Sequence, residues 1–185
     1  MDVKLQIQGT PNPNALKFVL NVPVRTEGKA IYKTIDQCGD NAIARALFEI
    51  ENISEVYFFD NYITVTQNGR GDWDQLEEKI QTIILELISA HDPDFQIAEP
   101  EKPQHTTPDH PDVAKINSIL DQTIRPALQM DGGDLQIVGY EGNTLKINYH
   151  GACGSCPSAT MGTLKAIENI LRDEFKPDLV VELAE

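Results

Sequence analysis

Residues 130–156 read MDGGDLQIVGYEGNTLKINYHGACGSC, and this stretch decides the fold of the chain's second half. The runs 135–138 and 145–149 have the apolar composition of short β-strands. Turn residues at 141–143 lie between them, so we expect a β-hairpin. The hairpin leads into the loop 151–156, which carries two cysteines.

Helices are expected on both sides of this hairpin. Asp112 precedes a stripe of apolar residues at helical spacing and is predicted to cap that helix. Pro126 interrupts the stripe, so a kink or an early end is expected near Arg125. Pro157 suits the first position of a helix after the cysteine loop, and a short last strand is expected at 179–181. The predicted stripes consist of Val113, Ile116, Leu120, Ile124 and Leu128 before the hairpin, and of Leu164, Ile167 and Leu171 after it.

The stretch 91–111, HDPDFQIAEPEKPQHTTPDHP, differs in composition from the rest of the chain. It carries five of the chain's eleven prolines and no glycine. Proline removes a backbone donor and fixes φ, so this stretch suits neither a helix interior nor a central strand. We therefore predict a linker at 91–111 between a first domain at 1–90 and a second domain at 112–185.

The first domain has its own series of strands and helices. Strands are expected at 3–7 and 16–20, and a hairpin is expected from 56–59 and 63–65. One helix is expected to open at Gly39-Asp40, and Asp72 is predicted to cap another. The order strand, strand, helix, strand, strand, helix implies helices on one face of a sheet. The predicted fold class is thus α+β, with two small α+β domains joined by a Pro-rich linker.

Charge and cysteine content restrict the possible partners. Acidic residues outnumber basic ones 29 to 15, which gives a formal net charge of −14. Such a surface repels phosphate groups, so we expect no nucleic-acid partner and no membrane partner. The first residues, MDVKLQIQGT, resemble no export or transit segment, and three cysteines do not suit a disulfide framework. These features predict a cytoplasmic protein in a reducing compartment.

Cys153 and Cys156 are separated by two small residues, so both thiols can reach one metal ion or cluster. Gly151 and Gly154 allow backbone conformations that turn amide N–H groups toward sulfur. The helix start after Cys156 favours negative charge, so the thiolate form that binds metal becomes available near neutral pH. By spacing alone the pair fits metal or cluster binding, thiol–disulfide exchange or incidental cysteines, and these three remain open.

The number of ligands bears on stoichiometry. A tetrahedral zinc ion or a four-iron cluster needs about four protein ligands, and this loop offers two. The chain has no second CxxC. The simplest arrangement is symmetric, with two copies each donating Cys153 and Cys156 across a two-fold axis. Because such a site lies between subunits it is easily dismantled, which suits a carrier.

Residues 124–171 closely resemble the C-terminal NifU-like domain. The matching segments are IRP at 124–126, DGGD at 131–134, GACGSCPS at 151–158 and TLK at 163–165. The segment TPNPNALKFVLNVPV at 10–24 is similar to the start of the Nfu N-terminal domain. Together they extend over nearly all of the chain outside the predicted linker, in the order of Nfu-type iron–sulfur carriers. Gly162, inside the helix after the loop, departs from the family pattern.

The resemblance implies a non-enzymatic carrier that binds a [4Fe-4S] cluster, or alternatively a [2Fe-2S] cluster, between two subunits. Cys153 and Cys156 are the implied ligands, and cluster binding is expected to form a homodimer. Apo iron–sulfur proteins are the expected acceptors, and upstream cluster assembly proteins are further expected partners. The competing hypothesis is a thiol–disulfide oxidoreductase with Cys153 as the attacking thiolate. A structural zinc site that links two chains is the third.

Several other features have a structural explanation beside a functional one. The DGGD motif at 131–134 is expected to form a tight turn with glycines at positive φ, and only secondarily to contact iron or a partner. His150 is expected to end a strand, and Cys38 to be a buried structural thiol instead of a relay ligand. Arg125 is equally explained as a family feature or as a charge that neutralises a helix C-terminus. The apolar stripe at 73–87 is expected to pack in the core.

Overall fold

A computed structural model of the chain describes residues 2–96, 111–154 and 157–184, without the side chains of 157–160. The chain divides into two compact units, Met1–Pro100 and Glu101–Glu185. Each unit combines helices with one β-sheet, so the predicted α+β class is confirmed. Residues 97–110, most of the predicted linker, lie outside the described residues, and the domain limits stay a prediction.

The first unit is built on a five-stranded antiparallel sheet with the strand order β1-β2-β5-β4-β3. Its strands are β1 (Leu5–Gly9), β2 (Ala15–Leu20), β3 (Lys29–Tyr32), β4 (Ile53–Phe59) and β5 (Tyr62–Gln67). Its helices are α1 (Ala42–Phe48) and α2 (Trp73–Leu87), with short 3-10 turns at Ile35–Cys38 and Ile88–Ala90.

One face of this sheet carries the core of the first unit. Alternate residues of the central strands, such as Val56 and Phe58 of β4, are fully buried and pack with α1 and α2. Tyr57, which lies between them, is fully buried as well, so this part of β4 is a continuous buried apolar run. The predicted hairpin and the cap at Asp72, whose Oδ1 accepts from the amide of Asp74 at 3.2 Å, are confirmed. The core contribution of α2 is confirmed as well, through Leu76, Ile80 and Ile84.

Three features of the first unit differ from the sequence prediction. Strand β3 was not predicted, because four residues are too short for a clear pattern. Asn41, and not the Gly39-Asp40 pair, caps α1: its Oδ1 accepts from the amide of Ala44 at 3.0 Å. The residues 91–96, assigned by sequence to the linker, contact the first unit. His91 Nε2 lies 2.8 Å from the carbonyl of Val24.

The second unit has a three-stranded sheet with the order β6-β7-β8, in which β6 and β7 are antiparallel and β7 and β8 are parallel. Its strands are β6 (Gly133–Glu141), β7 (Thr144–Gly151) and β8 (Val180–Leu183), and its helices are α3 (Pro111–Thr123), α4 (Arg125–Met130) and α5 (Pro157–Glu174). The core consists of buried residues from these helices and strands. Within the described residues, no helix is both long and apolar enough to cross a bilayer.

Local chemistry explains most of the boundaries in this unit. Pro126 is the second residue of α4, and the helix break at Ile124 confirms the predicted interruption. Pro157 begins α5 as predicted. Asp112 does not cap α3, because it lies inside the first turn, one residue after Pro111. A register shift between Ile137 and Gly139 interrupts the alternation in β6, a bulge that the sequence did not reveal.

Candidate functional site

The cysteine loop, residues 151–156, connects the end of β7 at Gly151 to the start of α5 at Pro157. Two backbone hydrogen bonds tighten it: the amide of Ala152 donates to the carbonyl of Gly132 at 3.1 Å, and the amide of Gly154 donates to the carbonyl of Gly151 at 3.0 Å. The first of these bonds ties the loop to the DGGD turn. The structure therefore brings the two motifs, which are 20 residues apart in sequence, into one site.

Gly151 and Gly154 are required for different reasons. Gly151 has a φ of +64°, and a Cβ there would lie 2.5 Å from the carbonyl oxygen of Gly132. Gly154 has no positive φ, and a Cβ there would lie 3.1 Å from the carbonyl oxygen of Tyr149. The amide of Gly154 itself donates to the carbonyl of Gly151, and the prediction that amide groups of this loop turn toward sulfur stays a prediction.

Gly133 forms the surface against which Cys153 rests. A Cβ at position 133 would lie 2.6 Å from the Sγ of Cys153, 2.7 Å from the carbonyl oxygen of His150 and 2.9 Å from the amide nitrogen of Cys153. No side chain fits in that space. Of the two motif glycines, only Gly132 adopts positive φ, at +81°, so the tight-turn prediction is right for Gly132 and incomplete for Gly133.

Cys153 carries a half-buried thiol and packs against the core of the second unit. Cys156, the other predicted ligand, lies outside the described residues, so the assignment of the pair as ligands stays a prediction. The donor chemistry at Cys153 fits a thiophilic metal or cluster: the side chain is partly accessible, and its position against Gly133 is sterically defined.

Tyr149 lies in β7, four residues before Cys153. Its side chain is only 7% exposed, and its hydroxyl has no hydrogen-bond partner among the described residues. Burial raises the pKa of the Tyr149 phenol, and the negative charge of the Cys153 thiolate raises that pKa further. The phenol is therefore a neutral donor within electrostatic range of the Cys153 sulfur.

Arg125 and Asp134 form a charged pair beneath the loop that sequence reasoning missed. Arg125 Nε lies 3.8 Å from Oδ1 of Asp134, a residue that is 3% exposed. The same guanidinium donates to Oδ1 of Asn117 at 2.8 Å and pairs with Asp121 at 3.2 Å, both on α3. Arg125 is the first residue of α4 and lies two residues after the end of α3, so its interpretation as a charge near a helix C-terminus stays a prediction. Arg125 lies in the IRP motif and Asp134 in the DGGD motif, and this was the sequence signal that could have indicated the pair.

The other two predicted candidates, His150 and Cys38, are buried. His150 is the penultimate residue of β7 and is 6% exposed, with Nε2 3.3 Å from Oε1 of Gln136. Cys38 lies in the first unit and is 2% exposed, with its thiol 3.5 Å from the carbonyl of Thr34. Burial raises the pKa of the Cys38 thiol to about 11, although the charge of Arg45 lowers it in part. The predicted structural role of Cys38 agrees with this burial.

The described part of the chain contains no group of three or more His, Cys, Asp and Glu side chains placed to hold a metal ion. A metal centre among those residues would therefore be incomplete. This observation is compatible with a site that draws ligands from two chains. Cys156 was not among the residues searched, because it lies outside the described part of the chain.

Comparison with known families supplies an independent line of evidence. The family described as "Scaffold protein Nfu/NifU N terminal" matches residues 5–91, and the family described as "NifU-like domain" matches residues 116–182. The chain belongs to the Nfu family. Both matches fall where the sequence alone indicated the two Nfu-type domains, so the recognition is confirmed.

Individual Nfu-family relatives agree with this assignment. NifU-like protein 4, mitochondrial, of Arabidopsis thaliana is 32% identical over 172 residues, which cover 90% of this chain and 61% of that protein. The NFU1 iron-sulfur cluster scaffold homolog, mitochondrial, of Homo sapiens is 34% identical, covering 91% of this chain and 66% of that protein. The chain thus spans less than two thirds of the length of these relatives. Among solved structures, a NifU-like protein from Saccharomyces cerevisiae covers 53% of this chain and 87% of its own, at 19% identity and a TM-score of 0.45.

The comparisons correct one prediction. Both relatives are named as mitochondrial, which points away from the cytoplasmic location inferred from the sequence. The cytoplasmic prediction is therefore wrong. It rested on the cysteine count and on the character of the first ten residues.

Proposed function

We propose that this Nfu-family chain is an iron–sulfur cluster scaffold and carrier. It binds a [4Fe-4S] cluster between two copies through Cys153 and Cys156 and delivers it to apo iron–sulfur proteins, with a [2Fe-2S] cluster as the smaller alternative. The observation that carries the proposal is the cradle at Gly133. The absence of a side chain there leaves room for the Cys153 sulfur 2.6 Å from where a Cβ would lie.

Ligand number supports a shared site. One copy supplies two thiolates in this motif, and a four-iron cluster needs about four protein ligands. Two copies related by a two-fold axis supply four equivalent thiolates. Met130 and Met161, each 78% exposed, flank the motif in sequence: one precedes the DGGD turn, and the other follows the loop in α5. Exposed flexible apolar side chains are suited to contact with a second protein.

Delivery requires only ligand exchange. A thiol of the acceptor loses its proton and forms a new Fe–S bond while the Fe–S bond to Cys153 or Cys156 breaks. The released thiolate takes up a proton, so no electron is gained or lost. A cluster held by two thiolates from each side can leave stepwise, which favours transfer over permanent retention.

The first unit is proposed to recognise partners or to modulate dimer formation. Its described residues include no constellation that suggests catalysis. They do form an open groove of about 540 Å³ that is lined by both acidic and basic side chains, among them Glu51, Arg70 and Lys79. We propose the domain limits 1–90 and 112–185, with 91–111 as the connection.

Anaerobic reconstitution with iron and sulfide tests this proposal. The wild-type chain should gain a broad visible absorption and shift to a dimer on a sizing column, and Cys156→Ser should lose both responses. Cys38→Ala is the matched control, because it removes the buried thiol of the other unit and should keep both responses. Reduction of insulin without cluster uptake would instead support the thiol–disulfide oxidoreductase. Zinc retained at about half a mole per chain would support the structural zinc site.

A further inference from the structure

Tyr149 lies where the core of the second unit meets the cysteine loop. Its side chain is buried in the cluster against which Cys153 packs. Its backbone carbonyl lies against the loop, 3.1 Å from where a Cβ at Gly154 would be. Tyr149 pairs with Leu135 across the hairpin, two residues along each strand from the pair of Gly133 with Gly151. The ring therefore belongs to the framework that carries Cys153.

The hydroxyl of Tyr149 is costly in the cluster-free protein. It is buried without a hydrogen-bond partner among the described residues. A buried hydroxyl that loses water and gains no partner destabilises a fold, and phenylalanine would fill the same space without that cost. A phenol is neutral near pH 7, so the hydroxyl of Tyr149 remains a donor.

We propose that the Tyr149 hydroxyl donates a hydrogen bond to the sulfur of Cys153 when that sulfur is bound to the iron of the cargo cluster. This inference rests on the proposed function. A neutral thiol is a weak acceptor, whereas an iron-bound thiolate carries more negative charge and accepts more strongly. Hydrogen bonds to cluster sulfurs stabilise the reduced form and raise the reduction potential. Tyr149 is thus a positioning residue that extends the lifetime of the bound cluster.

The substitution Tyr149→Phe tests this role, because it removes one oxygen and keeps the ring. The matched control is Tyr140→Phe, which removes another buried hydroxyl from the same core. Tyr140 pairs with Leu145 near the opposite end of the hairpin. The centre of its ring lies 6.4 Å from the centre of the Phe175 ring. All chains are full length. The measurements are thermal unfolding without cluster, the rate of cluster loss to an iron chelator after anaerobic loading, and the reduction potential of the loaded protein.

We expect opposite effects in the two states. Without cluster, Tyr149→Phe should unfold at the same temperature as wild type or higher. With cluster, it should lose iron roughly threefold to tenfold faster, at a more negative potential, while Tyr140→Phe matches wild type in the rate of loss. Equal rates for Tyr149→Phe and wild type, equal acceleration by both variants, or a lower unfolding temperature of cluster-free Tyr149→Phe would overturn the inference. If wild type itself takes up no cluster, the proposed function fails first and the inference falls with it.

Discussion

Gly133 shows how one residue without a side chain can define a binding site. The sequence places two glycines in the DGGD turn, and turn chemistry explains Gly132, whose φ is +81°. The requirement at Gly133 is spatial, since the Sγ and amide of Cys153 and the carbonyl of His150 occupy the place of a Cβ. Close approach between segments far apart in sequence leaves no local pattern, so sequence reasoning could not separate the roles of these two glycines.

Replacing Gly133 with alanine should therefore displace the cysteine loop. Two of the three atoms that the Cβ would meet are backbone atoms, which cannot rotate away as a flexible side chain can. We expect the Gly133→Ala chain to retain roughly tenfold less iron and sulfide after anaerobic reconstitution, measured per folded chain.

The control for this substitution is Gly162→Ala. Gly162 lies within α5, and a Cβ there would meet no atom within 4 Å. Alanine should stabilise the helix by about 0.5–1 kcal/mol and leave cluster retention unchanged. Equal retention by the Gly133→Ala and wild-type chains would show that the cradle does not position Cys153.

Cys38 gives the first unit a pH dependence in the alkaline range. Burial raises its pKa from 9.0 to about 11, so the folded state holds the thiol proton more tightly than the unfolded state does. This contribution to stability is fully present below pH 9 and is lost as the pH rises toward 11. A pKa difference of about 2 corresponds to at most roughly 2–3 kcal/mol. Unfolding followed by the fluorescence of Trp73, the chain's one tryptophan, reports on this unit.

The Cys38→Ala chain isolates this effect from the titration of lysines and tyrosines. Its overall stability should be lower, because a buried side chain becomes smaller. Its stability should nevertheless fall less steeply than that of wild type between pH 9 and pH 11. Parallel curves for the two chains over that range would contradict the assignment.

Among the elements, the junction between α3 and α4 links chain geometry to the site. Pro126 places a break at Ile124, and the new helix begins with Arg125. From there the guanidinium reaches both α3 and the buried carboxylate of Asp134, the residue next to Gly133. The helix break thus positions the charge that compensates a buried carboxylate beneath the cysteine loop.

Arg125→Met should destabilise the second unit by about 2–3 kcal/mol, because it removes the guanidinium that pairs with the buried carboxylate of Asp134. Asp121→Ala is the control: it removes only the partner whose side chain is 57% exposed, and it should cost about 0.5 kcal/mol. Urea unfolding followed by circular dichroism gives both values. The transition of the second unit is the one that Trp73 fluorescence does not report, because Trp73 lies in the first unit. If Arg125→Met lowers the free energy of unfolding no more than Asp121→Ala does, the pair of Arg125 with Asp134 does not stabilise the second unit.

Most elements could be predicted because their patterns are local. The hairpin of β4 and β5, the cap at Asp72 and the start of α5 at Pro157 follow from short apolar runs, capping and proline chemistry. Strand β3 escaped prediction because its four residues are held by pairing with β4 and not by their own pattern. The bulge between Ile137 and Gly139 escaped for a related reason, since it is a property of the pairing with β7.

At the scale of the whole molecule, the proposed cluster site requires ligands from two copies of the chain. The predicted chemistry of the CxxC came from residue type and spacing, and the structure adds the steric position of Cys153 against Gly133. The ligand number came from counting thiols. Among the described residues no cluster of potential ligands completes a metal site. In the proposed function, two copies hold one cluster, and cluster binding is coupled to dimer formation.

The most direct measurement is the mass of the cluster-loaded species together with its iron and sulfide content, determined anaerobically by native mass spectrometry. We predict two chains that hold a single cluster of four irons and four sulfides, and single chains without a cluster after Cys153→Ser or Cys156→Ser. A loaded single chain that supplies every protein ligand from its own residues would contradict this prediction.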